Sequence, residues 1–147
     1  MSASAESTKS IEEVFRTQMA AYATCDVDLL MTTFAENCVL RDMADPDAAF
    51  VGLPQVREFL AGYFSDLANV QVTIFSIIAN ERDVIGELDV TADWISAPFS
   101  PSEPRSIRLR YAVIDTIENG LVVYERFYWD SENLKKQLEV ANVAQSE

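Results

Sequence analysis

The chain of 147 residues contains no histidine, two cysteines and four glycines, and it sets 11 Lys and Arg against 24 Asp and Glu. The missing histidine removes the commonest metal ligand and the commonest general base at neutral pH. Histidine triads, zinc-water hydrolases and histidine relays are therefore excluded. Cys25 and Cys38 form no CxxC pair and no metal-ligand spacing, so both are expected to be reduced and at least partly buried. The scarcity of cations leaves a formal charge of −13 and a pI near 4.2. Such a chain gains nothing from counterion release on a phosphate backbone and is repelled by anionic lipid, so neither nucleic acid nor membrane is an expected partner. The opening residues MSASAESTK lack the basic start and apolar core of a signal peptide. No apolar run reaches the ~18–20 residues that cross a bilayer. A soluble, cytoplasmic protein is the expectation.

What is present suffices for one packed domain. Hydrophobic residues make up 49% of the chain and aromatics 10%, which rules out a charge-expanded disordered chain. Residues 1–9 and 141–147 are small and polar and read as loose tails around a single domain over 10–140. Ser10 and Glu13 form a capping-box pattern ahead of a first helix predicted over about 11–24, with Ile11, Val14, Phe15, Gln18 and Tyr22 along one face. Asp26 is placed to cap a second short helix that turns Leu29, Leu30 and Phe34 inward, and Glu36-Asn37 to break it before a brief strand over Cys38–Arg41. Pro54 suits the first turn of a third helix, whose Val56, Phe59, Leu60, Tyr63, Phe64 and Leu67 keep helical spacing.

From Asn69 the period changes to two. Strands are predicted at about 70–79, 83–96, 105–117 and 121–129, the last pair joined by the hairpin signal Asn119-Gly120, with a final helix from Glu132 to about Val140. Helices on one face of an antiparallel meander make an α+β domain.

Three stretches carry a resemblance: Phe34-Ala35-Glu36-Asn37-Cys38-Val39-Leu40-Arg41-Asp42, Gly52-Leu53-Pro54-Gln55-Val56-Arg57-Glu58-Phe59-Leu60, and Glu125-Arg126-Phe127-Tyr128-Trp129-Asp130 leading into Leu134-Lys135-Lys136-Gln137-Leu138. They resemble the SnoaL-like superfamily, the cone-shaped fold of nuclear transport factor 2 shared by polyketide cyclases, ketosteroid isomerases and limonene epoxide hydrolase. The resemblance implies a curved antiparallel sheet wrapped on a three-helix layer, a homodimer formed through that sheet, and no cofactor or metal. It also implies acid/base chemistry at Asp130, the position matching the acid/base of SnoaL-like cyclases. A carboxyl beside Tyr128 and Trp129 above an apolar cone would be desolvated and its pKa raised, although Asp130 also precedes Ser131-Glu132-Asn133-Leu134 as a helix cap would.

Asp42 ends the first strand, where the resemblance to ketosteroid isomerases places a catalytic base. Their helix-one tyrosine is replaced by Gln18, with Tyr22 one turn on as a substitute donor. Where limonene epoxide hydrolase has an Arg and an Asp two residues apart, this chain has Glu87 and Asp89. Cross-strand ion pairs with Arg108 and Arg110 on an outer face account for those acids more simply. Phe59, Tyr63, Trp94, Tyr111 and Tyr128 are candidate pocket walls, and equally candidate core. The leading expectation is a cofactor-free cyclase or isomerase acting on a small apolar carbonyl-bearing metabolite, with Asp130 and Asp42 as acid and base. The alternatives are a non-catalytic ligand-binding or dimerisation module and an epoxide-opening enzyme.

Overall fold

Two periodicities divide the chain, and the structure, a computed structural model describing residues 3–45 and 47–140, arranges them as two layers. Side chains are described from Ile11 onward. Helices α1 (Ala3–Thr24), α2 (Val27–Met31) and α3 (Leu53–Ser65) precede or interrupt strands β1 (Phe34–Asp42) and β2 (Ala49–Val51). Strands β3 (Leu67–Ala79), β4 (Asp83–Trp94), β5 (Arg105–Glu118) and β6 (Leu121–Trp129) follow as an antiparallel meander, and α4 (Ser131–Gln137) closes the described chain. The sheet order is β2-β1-β6-β5-β4-β3, with β1 parallel to β6. The result is a curved, unclosed six-stranded sheet folded over α1 and α3.

Local chemistry explains the joints. Asp26 accepts from Leu29 N at 3.1 Å and caps α2. Gly52, at φ 86, supplies a backbone conformation that side chains disfavour, and Pro54 follows in the first turn of α3. Asn119 and Gly120, both at positive φ, make the tight turn between β5 and β6. The core lies between layers, and Phe15, Leu30, Leu40, Val56, Val84 and Val122 are fully buried within it. Phe15 lies directly on β4 because Gly86 offers no side chain there: a Cβ at that position would stand 2.3 Å from its ring.

Several boundaries differ from the sequence expectation. Helix α1 begins at Ala3, so most of the expected N-terminal tail is helical and Ser10 lies inside the helix instead of capping it. Residues Phe34–Asn37 belong to β1, because Phe34 pairs with Val122 of β6 and this long-range pairing overrides the local break signal. Leu29 is exposed, and Leu30 and Met31 are the inward residues of α2. Helix α4 ends at Gln137, short of Val140. The expected tail 141–147 lies outside the described residues.

Candidate active site

The concave face of the sheet and helices α1 and α3 enclose a cavity of about 640 Å³. That volume lies in the ordinary range for small-molecule sites. Strand parity builds its wall: Glu125, Phe127 and Trp129 point inward from β6, Tyr111 and Val113 from β5, and Leu88, Val90 and Trp94 from β4. Helical spacing supplies the opposite wall, with Met19 and Tyr22 from α1 and Phe59, Leu60 and Tyr63 from α3. The aromatic rings form one continuous surface. Phe50 stacks on Phe59 at 4.2 Å between centroids, Phe59 meets Phe127 at 6.2 Å, and Tyr111 bridges from Phe127 to Trp129 at 6.2 and 5.7 Å.

Polar groups occupy two levels of this apolar chamber. At the outer level Asp42 Oδ1 accepts from Trp129 Nε1 at 2.8 Å and from Ala44 N at 2.9 Å, which fixes the carboxylate at the end of β1. The Tyr63 and Tyr111 hydroxyls stand 3.3 Å apart, and burial raises the pKa of both phenols. The Trp94 indole N–H is buried without a partner. Deeper in, Glu125 is 1% exposed and accepts from the Tyr22 hydroxyl at 2.6 Å through Oε2, while Oε1 has no partner. Asp115 stands opposite Glu125 in the β5–β6 register and is fully buried.

Burial pushes both carboxyls above the ordinary range, Asp115 furthest, because the neighbouring Glu125 charge adds to its desolvation. Arg126 opposes the shift on Asp115 only in part. Burial dominates at Glu125, and side-chain hydrogen bonding from Asp115, Tyr22 and Gln18 opposes it in part, the Tyr22 bond at 2.6 Å being the firm one. Two acids this close titrate as a unit, and the pair retains a proton to higher pH than separate carboxyls would. Burial and the Glu125 charge also keep the Tyr22 phenol protonated.

The sequence-derived candidates separate clearly. Asp42, Tyr22, Phe59, Tyr63 and Trp94 line the cavity. Gln18 is fully buried behind it, beside Glu125, and does not line it. Tyr128 is 40% exposed on the convex face, because it has the opposite parity from Phe127 and Trp129. Asp130 is exposed and caps α4, accepting from Asn133 N at 3.0 Å; it is a helix cap outside the cavity lining, and the desolvation expected for it is absent.

Glu87, Asp89 and Asp93 also face outward. Arg108 Nε meets Asp89 Oδ2 at 2.8 Å, and Arg110 approaches Asp89 at 3.5 Å and Glu87 at 3.8 Å. Epoxide opening through Asp89 therefore has no geometric basis. Sequence reasoning missed Asp115 and Glu125. The available signal was parity: each is an acid at an inward position of a strand whose other inward residues are apolar or aromatic.

Neither cysteine is bonded; Cys38 is fully buried, and burial pushes its thiol up to about 11, which makes it inert. Among the described residues no three His, Cys, Asp or Glu side chains gather into a metal-binding group. No described helix is long and apolar enough to cross a membrane.

The curved, unclosed six-stranded sheet over its helices has the ketosteroid-isomerase and nuclear-transport-factor-2-like fold. The chain belongs to the SnoaL-like family: the SnoaL-like domain matches residues 15–125. Solved structures agree on the fold. A SnoaL-like polyketide cyclase from Jannaschia sp. CCS1, so described, superposes with a TM-score of 0.76 at 15% identity, over 89% of this chain and 92% of that one. An LEH-like epoxide hydrolase of M. tuberculosis gives 0.69 at 17%, over 98% and 97%. A protein of ketosteroid-isomerase-like fold from Catenulispora acidiphila DSM 44928, in complex with trimethylamine, gives 0.72 at 20%, over 85% and 91%. No curated protein matches the chain significantly.

Proposed function

We propose that the protein is a cofactor-free acid/base enzyme, an isomerase or cyclase, that enolises a small, largely apolar carbonyl compound inside the cavity. The observation that carries this reading is the buried Glu125, bonded to Tyr22 and backed by Asp115, at the inner level of an aromatic chamber whose outer level holds Asp42. Glu125 is the acid: with the proton that its coupled pair retains, Oε1 donates to the substrate carbonyl. Asp42 is the base and removes a proton from the adjacent carbon. The Cα of Asp42 pairs with that of Phe127, two residues from Glu125 on the same strand. Their Cα positions are thus offset by about 7 Å along β6, with one further strand spacing between β1 and β6. In a dienol, return of the Asp42 proton to a different carbon, as the enol O–H proton goes back to Glu125, isomerises the substrate. Alternatively the enol carbon attacks a second carbonyl, whose oxygen takes the Asp42 proton as the enol O–H proton goes back to Glu125, and a ring closes. The complex of the Catenulispora protein with trimethylamine supports small-molecule binding by a protein of this fold.

The same reading takes the protein as a cytoplasmic homodimer joined through the convex sheet face. Phe75, Ile78, Ile85 and Tyr128 are exposed there, and sedimentation of the purified protein measures its mass directly. The test of the chemistry is deuterium exchange from solvent into the α-positions of a panel of cyclic and aryl ketones, followed by NMR. Wild type is expected to accelerate exchange for some members. Glu125→Gln and Asp42→Asn are each expected to lower that rate by about 10²–10⁴. Exchange accelerated by wild type but unaffected by either substitution overturns the assignment of acid and base, and no acceleration by wild type leaves a ligand-binding module of the same fold.

A further inference from the structure

The cavity's polar groups are all of one kind with respect to charge. Asp42, Glu58, Asp66 and Glu125 line it, and among the described residues no Lys or Arg does. Three of these carboxyls lie toward the outer level. Asp42 ends β1, Glu58 is a residue of α3, and Asp66 caps the C-terminus of α3 with Ser96 Oγ donating to its Oδ1 at 2.7 Å. Between this acidic rim and Glu125 the walls are aromatic.

Trp129 and Tyr111 stack at 5.7 Å with planes 21° apart, and the Trp129 N–H is committed to Asp42. Aromatic faces carry negative quadrupole and attract ammonium groups, more strongly where water is excluded. The field of the whole chain, at −13, has the same sign and repels anions from the chamber. At the inner level Glu125 lines the cavity and its Oε1 is buried without a partner, so a ligand reaching that atom must bring a hydrogen-bond donor or take its proton.

We infer that the cavity is selective for organic cations: a compact aromatic or alicyclic body carrying a protonated or quaternary amine, with the cation at the Asp42, Trp129 and Tyr111 level and a polar atom of the body directed at Glu125. The inference rests on the reading of this cavity as the substrate site and adds the charge class of the substrate. An enzyme of this design acts on aminoketones and rejects carboxylates of the same shape. The remaining rim acids, Glu58 and Asp66, set the preference without touching the reacting atoms.

The experiment is calorimetric titration of the full-length protein with three non-reacting probes of one shape: 3-hydroxyphenyltrimethylammonium, its neutral carbon counterpart 3-tert-butylphenol, and the anion 3-hydroxybenzoate. The cation is expected to bind at least tenfold more tightly than the neutral probe, although the neutral probe is the more apolar, and the anion is expected not to bind. In the Glu58→Gln, Asp66→Asn double variant the cation should weaken by at least threefold while 3-tert-butylphenol binds as before, which also shows that the fold is intact. Equal or tighter binding of the neutral probe by wild type overturns the inference, as does an unchanged cation preference in both the double variant and Asp42→Asn.

Because these probes do not react, the outcome is independent of catalysis. Cation preference with no exchange into the ketone panel or into aminoketones added to it overturns the enzymatic reading alone. Exchange without cation preference overturns this inference alone.

Discussion

The two faces of the sheet hold acids in opposite ways. On the convex face Asp89 stands opposite Arg110 of β5 and also meets Arg108, and Arg110 reaches diagonally to Glu87, so cations and water neutralise these acids. On the concave face Asp115 and Glu125 stand directly opposite each other with no such ladder, and burial forces the pair to keep a proton. The same residue types are thus surface charge on one side and a proton store on the other. A carboxyl that resists ionisation is able to donate a proton near neutral pH, and an ion-paired surface carboxylate is not. Only the concave pair has the property that acid/base chemistry needs.

The contrast is sharpest in the pH dependence of stability. Both concave carboxyls have folded pKa values raised above those of the unfolded chain. Their stabilisation is therefore complete below about pH 4, the unfolded carboxyl range, and is lost as pH rises toward the folded values. Relative to Asp115→Asn, wild type is expected to lose up to about 1.4 kcal/mol per pH unit over that window, measured by urea unfolding from pH 4 to 8. Comparing the two proteins cancels the general effect of the acidic surface, and a flat difference would break the distinction between the faces.

A middle-sized effect is expected at Asp130, the acid that the sequence made most conspicuous. Asp130→Ala should cost about 1 kcal/mol through loss of the α4 cap, about 2–4 °C in Tm, and leave ketone exchange unchanged. Loss of exchange in that variant would return Asp130 to the site.

The smallest effect belongs to the convex ladder. Arg108→Ala removes a cation whose side chain is 66% exposed, and Arg110 remains within 3.5 Å of Asp89. A change below about 1 kcal/mol is expected, and it should vanish in high salt, as thermal unfolding would record.

Helix and strand periodicity made most of the fold legible: the three helices, the meander, the Asp26 cap and the Asn119-Gly120 turn follow from local chemistry. The start of β1 did not, because Phe34 becomes a strand residue only by pairing with Val122, far along the chain. The site was legible in part. Tyr22, Phe59, Tyr63 and Trp94 sit at amphipathic positions whose inward face is fixed by period, and Asp42 follows directly from a strand end. Asp130 misled because a carboxyl after two aromatics looks desolvated in one dimension, whereas the strand has ended there and the side chain folds back on its own helix.

By itself the sequence determined the class of protein: an acidic, histidine-free α+β domain in which acid/base chemistry would rest on carboxyls and phenols. The tertiary structure alone decided which carboxyls are buried at the cavity. Composition and parity place acids on faces, but a raised pKa arises only where two strands in register bring Asp115 and Glu125 together and the helix carrying Tyr22 closes over them to exclude water.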